Sequence, residues 1–205
     1  TPTTAGSYAV VATINDARYE GTVGDTFVIE KAPATVTFTT LTKTYTGAPL
    51  AAEAGSDPAA NLVEFTYNGS STPPTVAGSY EVVATVNDPS LIGSASGTFV
   101  IAKAPQPIGF APIPDQFATD TVNLTATGGG SNNPVVFEVV EGSATITGGN
   151  VLTFSSEGTV SVRASQAGDA NHLEAVPVTR SFNVTKFPAT LNLLNLTQAY
   201  TGTPR

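Results

Sequence analysis

Apolar and polar residues alternate with period two along most of this chain, which is the spacing of a half-buried β-strand. From Ser79 to Val86 the even positions Tyr80, Val82, Ala84 and Val86 share one face. Thr98-Phe99-Val100-Ile101 reads as the partner strand, across a connection opened by Asn87-Asp88-Pro89. Residues 35–39 and 63–67 alternate as cleanly. The second of these runs ends at Asn68-Gly69, a pair suited to a two-residue hairpin turn because both residues tolerate positive φ. Further short strands are predicted at 122–126, 135–140, 144–147, 151–154 and 159–164, divided by glycine-containing turns, with Gly128 to Pro134 as a turn-rich break. No window of a dozen residues carries a helical stripe. Short strands at this spacing predict an all-β chain of tandem Ig-like β-sandwich domains.

The chain repeats itself. Residues 1–33 align without gaps to residues 73–105, with 20 of 33 positions identical. Thr3 to Tyr8 matches Thr75 to Tyr80, Val10-Val11-Ala12-Thr13 matches Val82-Val83-Ala84-Thr85, and Lys31-Ala32-Pro33 matches Lys103-Ala104-Pro105. The period is 72 residues. Lys31-Ala32-Pro33-Ala34-Thr35 recurs as Lys186-Phe187-Pro188-Ala189-Thr190, and Tyr45-Thr46-Gly47 as Tyr200-Thr201-Gly202, now at an offset of 155. A different segment of about 83 residues must therefore intervene. The expected organisation is the C-terminal half of a repeat (1–33), a complete repeat (34–105), a distinct domain (106–187) and the first strands of a further repeat (188–205). The distinct domain ends on a related pattern: Gly158-Thr159-Val160 resembles Gly78-Ser79-Tyr80, and residues 181–186 resemble 98–103. Opening in mid-pattern, the chain reads as a window on a longer array.

Each junction is a short Lys-Ala-Pro or Lys-Phe-Pro run leading straight into the next first strand. Proline fixes its own φ and keeps the preceding residue extended, so semi-rigid joints and end-to-end stacking into a rod are expected.

Composition narrows the function. There are 16 acids against eight bases, a net charge of −8, and only 12% of residues are charged. This balance argues against nucleic acid and anionic membrane as partners. No apolar run is long enough for a membrane-spanning helix. Cysteine is absent, so disulfides and thiolate metal sites are excluded.

Candidate chemistry is sparse. The single histidine, His172, has Asp169 and Ser165 near it in sequence, but reads as a loop residue rather than part of a hydrolytic triad. Glu138 and Glu141 read as solvated strand-end charges. Gly128-Gly129-Gly130 opens no helix and so offers no phosphate site. Calcium needs six to eight oxygens. The loops Asn15-Asp16, Asn87-Asp88 and Asp169 with Asn171 each offer one Asp, which favours turn-forming side chains instead. Lys43 is the one lysine inside a repeat where a Lys–Asn isopeptide link would need it. Asn68, Asn123, Asn183 and Asn195 fit the N-glycosylation acceptor pattern. Tyr19, Tyr45, Tyr67 and Tyr200, if exposed, would stack on sugar rings, although the shared repeat position of Tyr45 and Tyr200 favours packing. No catalytic, cofactor-binding or metal residue is assigned, and no cofactor is expected.

Several blocks carry a resemblance: Tyr45-Thr46-Gly47-Ala48-Pro49, Thr66-Tyr67-Asn68-Gly69-Ser70, residues 77–85 and residues 97–104. Together they resemble the MBG-type repeats of large bacterial surface proteins. Residues 107–110, Pro114-Asp115 and residues 158–171 resemble bacterial Ig-like repeats. For the 72-residue repeat a β-grasp-like fold is the alternative to a sandwich. The resemblance implies a non-enzymatic, extracellular array at a bacterial cell surface, either a stalk or spacer or the subunit of a surface fibre. A glycan- or protein-binding adhesive module is the alternative. The expected partners are neighbouring repeats of the same protein, including head-to-tail self-association, with no nucleic acid and no membrane insertion.

Overall fold

The computed structural model describes residues 1–60, 62–194, 199, 200 and 202, and these form strands and no helix. They fall into two compact units. The first holds Thr1–Pro105 together with Gly168–Leu173; the second holds Gln106–Ala167 and the described residues from Glu174 onward.

In the first unit β1 (Gly6–Thr13) and β2 (Thr22–Ile29) form an antiparallel hairpin. There follow β3 (Ala32–Pro33), β4 (Thr35–Thr40), β5 (Thr42–Thr44), β6 (Glu53–Asp57), β7 (Val63–Tyr67), β8 (Gly78–Val86), β9 (Leu91–Ile92) and β10 (Ser94–Ala102). One sheet runs β5-β10-β8-β7, with β5 parallel to β10 and the other pairs antiparallel. β4 and β6 pair separately. Val36 and Phe38 of β4 and Ala54 of β6 pack on Ala84 and Val86 of β8, which makes the arrangement a sandwich. Tyr67, Val82, Phe99 and Ile101 continue the core. The alternation read from sequence sets this directly: Val82, Ala84 and Val86 are buried while Glu81 and Thr85 are exposed. The Asn68-Gly69 turn closes as expected, at φ of 48° and 82°.

Two hydroxyls add local order. Tyr80 Oη donates to the Val76 carbonyl at 2.8 Å, and its repeat counterpart Tyr8 to Thr4 at 2.7 Å. This is the tyrosine-corner geometry of Ig-like domains. Tyr67, by contrast, is no exposed sugar platform: it is 3% exposed, and its Oη accepts the Ala52 amide at 2.9 Å.

The second unit contains β11 (Gly109–Phe110), β12 (Gln116–Phe117), β13 (Thr121–Asn123), β14 (Ala126–Thr127), β15 (Val135–Glu141), β16 (Ala144–Thr147), β17 (Val151–Phe154), β18 (Gly158–Gln166) and β19 (Val178–Thr185). Its main sheet, β12-β19-β18-β15 with β12 parallel to β19, repeats the order of the first. A second sheet runs β13-β17-β16, and β11 pairs with β14. The expected strand 122–126 is split, because the chain changes sheets there: β13 pairs with β17 and β14 with β11, with buried Leu124 at the crossing. Two buried glutamines pin the glycine-rich turn. Gln166 Oε1 accepts the Gly129 amide at 2.7 Å, and Gln106 Oε1 accepts the Ser131 amide at 3.0 Å. A Cβ at Gly128 or Gly129 would sit 2.4 Å from these side chains, so this run is glycine because of close approach. Both units are therefore Ig-like β-sandwiches. The β-grasp alternative finds neither its helix nor its sheet order among the described residues.

Equal repeat positions do not have equal surroundings. Val82, Val86 and Phe99 are 0%, 7% and 0% exposed, whereas their counterparts Val10, Ile14 and Phe27 are 48%, 54% and 51% exposed. The β1–β2 hairpin lacks the facing strands that β4 and β6 supply to β8 and β10. Phe99→Ala should cost about 3–5 kcal/mol, and Phe27→Ala at the same repeat position no more than about 0.5 kcal/mol. Denaturant titration of the two variants checks the contrast.

Candidate docking site at the Lys-x-Pro junctions

An aspartate opens each of three corresponding hairpin loops, and in each its side chain folds back on its own backbone. Asp88 Oδ1 accepts the amides of Ser90 and Leu91 at 2.8 and 3.1 Å. Asp169 Oδ1 accepts those of Asn171 and His172 at 2.7 and 2.6 Å. Asp16 Oδ1 accepts that of Arg18 at 2.8 Å. These bonds use the side chain that a calcium site would need, and they leave the loop's own carbonyls facing outward.

Two of the loops receive a Lys-Ala-Pro run in the same way. Lys31 Nζ donates to the Asp88 carbonyl at 2.6 Å, and Lys103 Nζ to the Asp169 carbonyl at 2.5 Å. The Ala32 amide donates to Ser90 O, and the Ala104 amide to Asn171 O, both at 2.8 Å. Ala32 lies in parallel register with Leu91, and Ala104 with His172. One further contact agrees: the Ala5 amide meets Ser90 Oγ at 3.4 Å, and the Ala77 amide meets Asn171 Oδ1 at 2.9 Å. The second of these seats is why Gly168–Leu173 belong to the first unit. Nothing in the sequence pattern pointed to this, although the recurrence of Lys-Ala-Pro and of Asn-Asp at one spacing was visible.

The other candidate residues are placed as follows. His172 Nδ1 lies 3.0 Å from Asp169 Oδ1, and its ring meets Tyr45 edge-on at 5.3 Å. The Asp–His pair thus closes a turn, and Ser165 sits in the β15–β18 ladder opposite Val136. Glu138 pairs with Arg163, and Glu141 accepts Ser161 Oγ at 2.9 Å. Lys43 pairs with Glu53 at 2.8 Å on the surface. Hydrogen bonds from Lys43 and Thr40, reinforced by the Lys43 charge, hold the Glu53 carboxyl below its usual range. Asn68 Oδ1 accepts the Glu81 amide at 2.8 Å, and Asn183 Oδ1 meets Thr159 Oγ1 at 3.3 Å. Asn123 is exposed on β13, and Asn195 lies outside the described residues. Tyr45 packs against the first core, whereas Tyr19 and Tyr200 are 68% and 96% exposed. Among the described residues no group of three or more His, Asp or Glu side chains could hold a metal ion.

Burial pushes the Asp169 carboxyl up, but the amides of Asn171 and His172, then the His172 ring, outweigh it and hold it below the usual range. A carboxyl depressed in this way stabilises the fold fully above the ordinary value of about 3.9, and that contribution is lost as pH falls through the lower folded value. An NMR titration that follows the Asp169 side-chain carboxyl carbon should place its midpoint below the ordinary aspartate value of about 3.9. Asp88→Ala removes the same support from the other seat. It should lower stability by about 1–2 kcal/mol in a denaturant titration.

Comparison with known proteins adds the following. Residues 1–33 and 34–105 each match the MBG domain family. No curated protein matches the chain in sequence. Among solved structures, Drosophila N-cadherin EC1-4 is 12% identical over 87% of this chain and 58% of its own, with a TM-score of 0.32. Mouse protocadherin-24 EC1-3 is 11% identical over 88% of this chain and 80% of its own, at 0.30. A SusE-like surface-located polysaccharide-binding protein from the Bacteroides thetaiotaomicron heparin utilisation locus is 12% identical over 75% of this chain and 33% of its own, at 0.27. The chain thus spans 58% of the N-cadherin fragment and a third of the SusE-like protein. Likenesses at these scores assign neither function nor ligand.

Proposed function

Since the chain belongs to the MBG domain family through residues 1–105, we propose that it is a structural repeat region of an extracellular bacterial surface protein, serving as a stalk or spacer. The observation that carries this reading is mechanical. In both sandwiches a strand near the domain's N-terminal end runs parallel to the domain's last strand: β5 beside β10, and β12 beside β19. Tension applied through the two ends of such a domain pulls these strands in opposite directions along their own axes. The hydrogen bonds between them, among them Tyr45 N to Ala102 O at 2.9 Å and Ala118 N to Thr185 O at 2.8 Å, are then loaded together rather than one after another. That is the property a tether needs.

Single-molecule pulling on the chain tests this. The spacer reading expects a resolved unfolding peak for each complete sandwich. Ala118→Pro, which deletes one donor from the β12–β19 pair, should lower the peak of the second sandwich and leave that of the first unchanged. Featureless extension of the wild-type chain would rule the reading out.

The fibre reading, with the same protein as its own head-to-tail partner, is favoured by one observation. A Lys-Ala-Pro strand pairs in parallel with the edge of the Asp88 loop, and edge pairing of this kind can also join two chains. Sedimentation at rising concentration decides it: growth beyond dimers supports the fibre, and a constant single-chain mass removes it. The adhesive alternative now rests on Tyr19 and Tyr200, because Tyr45 and Tyr67 are engaged in packing. Glycan binding unchanged by Tyr19→Ala and Tyr200→Ala would remove those tyrosines from it.

A further inference from the structure

We infer that the Asp16 loop is a third docking seat, and that its ligand is a Lys-x-Pro strand of another repeat of this kind. The inference rests on the tandem-repeat reading above and adds the partner's chemistry. The loop has the same frame as the filled Asp88 seat. The Ile14 amide donates to Gly21 O at 2.9 Å, just as Val86 donates to Gly93 O at 2.9 Å. Asp16 Oδ1 takes the Arg18 amide as Asp88 takes that of Ser90. At an offset of 72 residues, the carbonyls of Asp16, Arg18 and Glu20 then correspond to those of Asp88, Ser90 and Ile92, which receive Lys31 Nζ and the amides of Ala32 and Ala34. All of residues 15–20 are exposed. Among the described hydrogen bonds none reaches those three carbonyls.

Two differences separate this loop from the filled ones, and both agree with an open seat. In the filled loops the aspartate takes a second amide, from Leu91 or His172. The corresponding Tyr19 amide makes no such bond among the described residues. Ser90 and Asn171 also offer a side-chain oxygen to an alanine amide, and Arg18 in their place has no acceptor. The open seat therefore supplies three of the four contacts: one lysine–carbonyl bond and two strand-edge bonds. An acidic ligand would lose the first, and a strand without lysine would keep only the edge pairing. The ligand class is thus a lysine followed by one small or apolar residue and a proline, continuing as an extended strand.

The test uses the whole isotope-labelled chain and a synthetic peptide of its own residues 29–35, Ile-Glu-Lys-Ala-Pro-Ala-Thr, followed by NMR. The expected result is saturable movement of the amides from Asp16 to Gly21, Tyr19 included, with a Kd of about 1–10 mM. The same peptide carrying Lys31→Met should bind at least about fivefold more weakly. Asp16→Ala in the chain should abolish the response. The peptide comparison stands however that variant folds. No saturable movement at Asp16–Gly21 by about 10 mM peptide, equal binding of the Lys31→Met peptide, or movement centred on the Asp88 and Asp169 loops instead would each overturn the inference. The pulling experiment does not involve the Asp16 seat, so the spacer reading and the seat can fail independently.

Discussion

One carboxylate oxygen turned back onto its own loop organises the recurring feature of this protein. With Asp88 Oδ1 holding two backbone amides, the loop between β8 and β10 cannot fold its carbonyls inward, and they form a short strand edge with a lysine acceptor at its head. An edge of this kind is a template for another strand, and the Lys-Ala-Pro run suits it well. Proline cannot donate, so pairing through Ala32 and Ala34 leaves no orphaned amide between them. The lysine bond is charge-assisted, a class worth about 1.5–3 kcal/mol against about 1 kcal/mol for each neutral edge bond. Lysine therefore contributes most of the specificity, and the strand contributes the direction.

The same economy runs through the sandwiches. A hairpin of two long strands, β8–β10 or β18–β19, forms the middle of each main sheet, flanked by one parallel and one antiparallel neighbour. Phe99 and Phe182 hold equivalent core positions, as do Ile101 and Val184, all buried. Tyr80 and Val160 begin the two hairpins differently. Tyr80 spends its hydroxyl on Val76 O, while Val160 is fully buried and needs no polar partner. One hairpin plan thus accepts two kinds of opening residue, provided that no polar atom is buried alone.

The long strands were legible because their alternation is strong and tertiary packing agrees with it. The Asn68-Gly69 turn and the repeat arithmetic were legible for local reasons as well. β6 was not, since Glu53-Ala54-Gly55-Ser56-Asp57 contains residues that strands usually avoid; its pairing with β4 and the burial against Val86 form it. The two-residue strands β11, β12 and β14 fall below any periodic signal. The alternation of Val63, Phe65 and Tyr67 puts Tyr67 on the core face, and only the Ala52 amide reveals why a tyrosine stands there. The seats were half legible: the recurring Asp loops and Lys-x-Pro runs stand far apart in sequence, and sequence alone does not pair Lys103 with Asp169.

The most direct test of the seat as a structural joint is amide hydrogen exchange. Ala32, Ala34 and Ala104 lie in segments too short to be protected on their own, while Lys186 and Phe187 belong to the same motif with no seat among the described residues. The account predicts that Ala32, Ala34 and Ala104 exchange nearly as slowly as the β8–β10 ladder amides, and that Lys186 and Phe187 exchange at unprotected rates. Free exchange at Ala32 and Ala104 would mean that the Asp loops do not hold the junctions, and would contradict the account at its centre.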